Sequence, residues 1–250
     1  MSRQLAWQLL HERTSADYRQ RTEDPRDPET VQAMQLVINL PKQDPPARNA
    51  VLVDAARATV AVCLAEQAGQ PGPWREHLQR WYDHRIRKVT RRARNKAWLD
   101  AQEVPGVTVG SVRAFVPSAV CDVPHEVSKL QIKGTDLPME SVEGQVGAST
   151  PVIVVDAGLE MSAGKAAAQV GHASMLLAAQ RPLEWVQAWA EDGFPLSVRE
   201  ADSGVFAECL AYAREHDGVV VADAGFTEVA PGSVTALAFS ALPPSVLARL

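Results

Sequence analysis

Four side chains carry most of the chemistry this chain could perform. Lys165, Gln169 and His172 stand at i, i+4 and i+7 of an alanine-rich run, so a helix there projects an amine, an amide and an imidazole from one stripe. The fourth, Asp223, ends the apolar run Gly218-Val-Val-Val-Ala-Asp223, where a buried strand would carry a carboxylate at its tip. An unperturbed imidazole titrates near neutral pH, which suits His172 to accept a proton or to position a water. Lys165 falls in the first turn of its helix, where the free backbone N–H groups add positive potential to its amine. A lone histidine on a helix is more often a satisfied core residue. Here Lys165, Gln169 and Asp223 make His172 a candidate catalyst.

The elements that must position these groups follow from the pattern around them. Val152-Ile-Val-Val155 is short, continuous and β-branched, the signature of a buried strand. A loop with Asp156, Gly158 and Ser162 leads into a helix from about Ala163 to Ala178, with Ser162 as its expected N-cap. After Asp223 a turn at Gly225 and the pair Pro231-Gly232 precede a final strand. A phosphate-binding P-loop does not fit: the spacing from Gly158 to Gly164 is one residue too long, and Ala166 stands where a hydroxyl is needed.

These two segments resemble the class II peptidyl-tRNA hydrolases. The family's Gly-Lys-x-Ala-Ala-Gln-x-x-His-Ala pattern is present as Gly164-Lys165-Ala-Ala-Ala-Gln169-Val-Gly-His172-Ala173. Its Asp-Ala-Gly-x-Thr and Ala-Pro-Gly patterns are present as Asp223-Ala-Gly-Phe-Thr227 and Ala230-Pro231-Gly232. The likeness runs from about Ser149 to Leu242. Val170-Gly171 replaces a common Cys-Ser, and Phe226 and Glu228 stand where Arg and Gln are usual. The resemblance implies hydrolysis of the ester between a peptide carbonyl and the terminal ribose hydroxyl of tRNA, with no metal or other cofactor. It implies a site at Lys165, Gln169, His172, Asp223 and Thr227. His172 would be the base or water-positioner, and Asp223 would orient it or hold the water itself. Lys165 would meet the terminal phosphate or the developing oxyanion, and Gln169 and Thr227 would bond the ribose or the peptide. The second reading is a catalytically impaired RNA-binding or scaffold protein that keeps this fold, motivated by Phe226 and Glu228.

Composition sets the frame. The 250 residues suffice for one large domain or two modest ones. Cys63, Cys121 and Cys209 are widely spaced and odd in number, which argues against a disulfide framework or a zinc cluster and for buried thiols in a reducing cytoplasm. The N-terminus has no signal-peptide pattern and no run approaches membrane-spanning length, so a cytoplasmic protein is expected. Residues 148–250 hold five basic against twelve acidic side chains, the wrong sign for an RNA partner; residues 1–147 hold 20 basic and 18 acidic ones.

The first half therefore carries the expected RNA contact. Arg85 to Lys96 contains seven cations in twelve residues and no acid: Arg85, Arg87, Lys88, Arg91, Arg92, Arg94 and Lys96. Read as a helix running on to about Gln102, it places Arg87, Arg91 and Arg94 on one face. Such a run is as often a solvated face as a phosphate-binding one. Around it, residues 1–30 read as a polar extension with a short helix from about Arg3 to Tyr18. Met34–Leu40 reads as a strand, Pro46 to Glu66 and Trp74 to Trp81 as helices, and Val107–Val109, Val112–Val116 and Glu126–Lys133 as strands.

That order repeats in the second half. An offset of 115 lays Leu36-Val-Ile38 on Pro151-Val-Ile153 and Ala50, Asp54 and Arg57 on Lys165, Gln169 and His172. An offset of 112 lays Gly106–Val109 on Gly218–Val221 and Ser111 on Asp223, and one of 107 lays Val123–Leu130 on Ala230–Leu237. The alternative is two unrelated α/β segments with chance matches. The fold expected is α/β: two similar three-layer α/β/α units, each with a small mixed sheet covered by helices on both faces. Residues 31–135 form a degenerate first copy with the basic helix, 136–148 a linker, and 149–250 the copy with the motifs. The units would pack as an intramolecular pseudo-dimer, with a further homodimer possible.

Overall fold

The computed structural model describes residues 1–14, 21, 23–24, 26–140, 146–147, 149–225 and 228–250. In the first half, α1 (Ser2–Thr14) precedes β1 (Gln32–Asn39), α2 (Arg48–Cys63), α3 (Pro73–Asp83), β2 (Arg87–Ala93), α4 (Lys96–Ala101), β3 (Gly106–Val109), β4 (Val112–Phe115), β5 (Ser118–Ala119) and α5 (His125–Ser128). The second half runs β6 (Val152–Asp156), α6 (Ala163–Gln180), α7 (Leu183–Glu191), β7 (Ser197–Ala201), α8 (Ser203–Glu215), β8 (Val219–Ala222), β9 (Val234–Phe239) and α9 (Pro244–Leu247).

The two sheets have one plan. Strand order is β2-β1-β4-β3 in the first, with β5 also on β1, and β7-β6-β9-β8 in the second. In each, the first strand runs parallel to one neighbour and antiparallel to the other. Leu36 lies opposite Ala114 as Ile153 lies opposite Ala238. Side chains alternate across each pleat, so each sheet needs cover on both faces. Met34, Leu36 and Ile38 point to α2 and α3, while Val37 and Phe115 meet Ala101 and Val127 of α4 and α5. Ile153 and Val155 point to α6, while Val152 and Val154 meet Phe206 and Cys209 of α8.

Between the sheets, α2 and α6 pack on each other, and one continuous core joins both halves. Small residues allow the approach: a Cβ on Gly171 would meet Thr59 Oγ1 at 2.7 Å. Polar ties cross the same seam. Ser174 Oγ donates to Ala56 O at 2.7 Å, Asn49 Nδ2 to Val198 O at 2.9 Å, and Arg57 to Gly193 O at 2.8 and 3.0 Å. Arg48 pairs with Glu200 at 2.8 Å with both side chains nearly sealed from solvent. Across this seam lies α1, with Ala6, Leu9 and Leu10 buried and Trp7 Nε1 donating to Ala178 O at 3.1 Å.

Two expected elements are corrected. The basic run is an edge strand, not a helix: residues 87–93 pair in parallel with β1 from Ala33↔Arg87 to Asn39↔Ala93, and the helix begins only at Lys96. Ile86, Val89 and Thr90 favour extended backbone, and a row of cations on a sheet edge discourages pairing with another chain. The expected strand from Glu126 to Lys133 is instead the short α5 followed by a single bridge, Arg92↔Gln131. The counterpart of β9 is therefore β4, and the offset of 107 matched the wrong segment. The end of the expected N-terminal helix, at Tyr18, lies outside the described residues.

Candidate functional site

The start of α6 and the end of β8 meet at one carboxylate. Lys165 Nζ donates to Asp223 Oδ2 at 2.5 Å, and Gln169 Nε2 donates to the same oxygen at 2.8 Å. The other oxygen, Oδ1, accepts from Gly225 N at 2.7 Å. The Lys165 and Asp223 side chains are only 10% and 11% exposed, so their attraction is weakly screened by water. The turn that aims Asp223 needs glycine twice over. Gly225 has φ +79, and a Cβ there would meet Pro231 Cγ at 2.4 Å. On the helix side, Ser162 Oγ caps α6 by accepting from Lys165 N at 3.1 Å, which fixes where the lysine leaves the helix.

Gln169 has a fixed orientation, set by a residue the sequence motifs did not bring forward. Thr235 Oγ1 donates to Gln169 Oε1 at 2.7 Å, leaving Nε2 for Asp223. Thr235 is wholly buried on β9. The available signal was a single hydroxyl in an otherwise apolar strand, which must find a partner.

His172 lies one helical turn beyond Gln169 and is turned to a different partner. Its Nδ1 accepts from Lys88 Nζ at 3.1 Å, across the seam between halves, and no hydrogen bond joins it to Asp223. Burial, then the cations of Lys88 and Lys165, push its pKa well below the ordinary imidazole value. Thr227 lies outside the described residues, as does Phe226.

The N-terminus of α6 is already engaged. Glu228 accepts from Ser162 N at 2.8 Å and from Ser162 Oγ at 2.7 Å, a carboxylate at the favourable end of the helix dipole. Thr135 Oγ1, from the segment joining the halves, accepts from Gly164 N at 3.1 Å. A cavity of about 430 Å³ opens beside these groups, lined by Arg48, Asp136, Met161, Ser162 and Glu228 among others.

The cations of the basic run are dispersed rather than gathered. Arg87 pairs with Glu23 at 2.6 Å, and exposed Arg85 lies 3.6 Å from the same carboxylate. Arg91 donates to Gln35 Oε1 at 2.9 Å and to Leu130 O at 2.8 Å, and Arg92 to Lys133 O at 2.9 Å. Lys88 turns inward to His172. Arg94 lies just past the strand, and Lys96 is exposed and 2.5 Å from Asp100. Strand alternation separates Arg87 and Arg91 from Lys88 and Arg92, so the single helical face does not exist.

Among the described residues, no group of three or more His, Cys, Asp or Glu is placed to hold a metal ion, and no helix is long and apolar enough to cross a membrane. Residues 150–250 match the family model described as peptidyl-tRNA hydrolase PTH2. A peptidyl-tRNA hydrolase of Saccharolobus islandicus is 31% identical over 108 residues, covering 38% of this chain and 88% of that protein. One of Pyrobaculum aerophilum is 34% identical over 106 residues, covering 39% of this chain and 88% of that protein. The match takes in both α6 and the turn that aims Asp223, the elements that build the carboxylate site, and the chain belongs to the peptidyl-tRNA hydrolase PTH2 family.

Proposed function

We propose that this chain hydrolyses peptidyl-tRNA, and that the reaction centre is Lys165, Gln169 and Asp223 of residues 149–250. The observation that carries this reading is the grip of Lys165 and Gln169 on one oxygen of Asp223. Ester hydrolysis needs a held water, a proton acceptor and a donor facing the developing oxyanion. Asp223 holds the water and takes its proton. The amine of Lys165 keeps one N–H on Asp223 and turns another to the ester carbonyl, where negative charge grows as the water attacks. Gln169, locked by Thr235, keeps the carboxylate in register, and Thr227 is assigned a hydrogen bond to ribose or peptide. His172 acts from behind Gln169. The test is peptidyl-tRNA turnover by the parent beside Lys165→Ala and Asp223→Asn. Parent activity no higher than that of the variants would sink the enzyme reading and favour a non-catalytic RNA-binding role.

The common strand order of the halves and the packing of α2 on α6 support a tandem of two related units acting as a pseudo-dimer, residues 31–135 being the degenerate copy. That copy is assigned a share in holding tRNA, through the cations at the ends of β2: Arg85, Arg94 and Lys96. Because phosphate contacts are salt-dependent, replacing these three by Glu should weaken tRNA binding most at low salt. Equal binding by variant and parent at low salt would remove this role. A tRNA substrate fits a cytoplasmic setting.

A further inference from the structure

The seam between the halves holds a cation that the hydrolytic centre does not account for. Lys88 leaves β2 of the first half and ends against α6 of the second, with Nζ 3.1 Å from His172 Nδ1, 3.1 Å from Met175 Sδ and 5.0 Å from the centroid of the Trp81 ring. Its stem lies where a side chain at residue 171 would be: a Cβ on Gly171 would meet Lys88 Cδ at 3.2 Å. Glycine at that point of α6 is what lets the lysine reach the imidazole. Among the described residues the ammonium has no carboxylate partner. A soft sulfur, an aromatic face and an imidazole nitrogen replace its water.

We propose that Lys88 is a positioning residue for the hydrolytic centre: by donating to Nδ1 it fixes His172 as the neutral Nε2–H tautomer, so that the degenerate half supplies a group the catalytic half lacks. The inference rests on the peptidyl-tRNA reading above for its functional meaning and, for the tautomer, on the contact of Nδ1 with a protonated Lys88. An ammonium has donors only, so the Nδ1 it meets must be the lone-pair nitrogen, and the ring proton sits on Nε2. A ring held in this way offers an N–H one turn from Gln169 and does not gain a proton as the reaction proceeds. The neighbours agree. The cations facing His172 are Lys88 and Lys165, and both oppose its protonation. Lys88 faces Cys63 of α2 and His172; Cys63 and its neighbour Tyr82 of α3 are both held in the protonated form by burial. Burial lowers Lys88 to about 7, with Cys63 acting against the fall, so the ammonium fixes the tautomer below that pH, where the test is made.

The test has two arms on the full chain. Nitrogen-15 NMR of the imidazole, assigned with His172→Gln, should show a neutral Nε2–H ring in the parent at pH 6.5. In Lys88→Met it should show mixed tautomers and take up a proton at a higher pH than in the parent, with burial still holding it below the ordinary imidazole value. A parent ring protonated at Nδ1, or cationic, would overturn the proposal whether or not any variant folds. In the second arm, Lys88→Met should lower kcat on peptidyl-tRNA about tenfold with KM nearly unchanged, as misplacement of a supporting group does. It should also raise the pH at which kcat falls in acid, because one of the two cations opposing His172 protonation is gone. Lys88→Arg should restore part of kcat, which a loss of packing alone would not allow. Unchanged kcat and pH profile in Lys88→Met would overturn the functional half. A parent without turnover would instead refute the hydrolase reading, with the NMR arm still deciding the tautomer.

Discussion

The two halves present the same crossing of helix and strand end with opposite contents. In the second, Gln169 of α6 and Asp223 after β8 meet with Lys165 as third member. In the first, Asp54 of α2 meets Ser111 after β3: its Oδ2 accepts from Ser111 N at 2.8 Å and from Ser111 Oγ at 3.0 Å. The carboxylate has moved from the strand end to the helix, and Ala50 stands where the alignment puts the lysine. A Cβ on Gly110 would meet Asp54 Oδ2 at 2.2 Å, so the first crossing is also filled. The scaffold therefore does not by itself make a reaction centre. A cation beside the carboxylate makes the difference.

The strongest way to break this comparison is to remove one charged member of each crossing in turn. Lys165→Ala should reduce turnover of peptidyl-tRNA by about a hundredfold or more, the usual loss when a donor to a developing oxyanion is deleted. Asp54→Ala should leave turnover unchanged and cost about 1–3 kcal/mol of stability in urea unfolding, because the Ser111 donors lose their acceptor. Equal losses of activity from the two variants would erase the distinction between the halves.

Smaller effects sharpen it. Gly171→Ala forces α2 and α6 apart and should destabilise by about 1–3 kcal/mol, with Thr59→Ala recovering part of it in a double-mutant cycle. Thr235→Val leaves Gln169 Oε1 without its donor inside the core and should cost about 1–3 kcal/mol, whereas Thr235→Ser should cost less. Circular dichroism melts would read both.

A different handle on the seam is the pH dependence of Lys88. Its folded pKa, lowered to about 7, lies below the ordinary lysine value, so between these limits the unfolded chain binds more protons. Stability then rises with pH from neutral toward pH 10, by at most about 1.4 kcal/mol per unit from this group, and Lys88→Met should flatten that rise. The same slope in parent and variant would show that Lys88 titrates normally.

What the sequence made legible was local, and what it hid was long-range. The strand Val152–Val155, the Ser162 cap and the stripe of Lys165 and Gln169 follow from periodicity and capping chemistry, which act over a few residues. The basic run was misread because helical spacing puts several arginines on one face whatever the backbone does. Its edge position, set by pairing with β1, decides for a strand. Lys88 reaching His172, Thr235 locking Gln169 and Glu228 holding Ser162 join residues 84, 66 and 66 positions apart. No periodicity carries such pairings, since each depends on how the sheets and the seam are assembled.

The placement of α1 bears on the order in which the chain can be made. Its Trp7 and His11 bond the carbonyls of Ala178 and Ala179, the latter at 2.7 Å, and Leu9 and Leu10 are buried in the shared core. During synthesis these residues leave the ribosome long before the helix end that receives them. The helix can pack on α3 once residue 83 has emerged, but the side that meets α6 stays uncovered until the end of that helix follows. A truncation removing α1, or a chain stopped after the first half, should therefore aggregate rather than yield a free-standing unit.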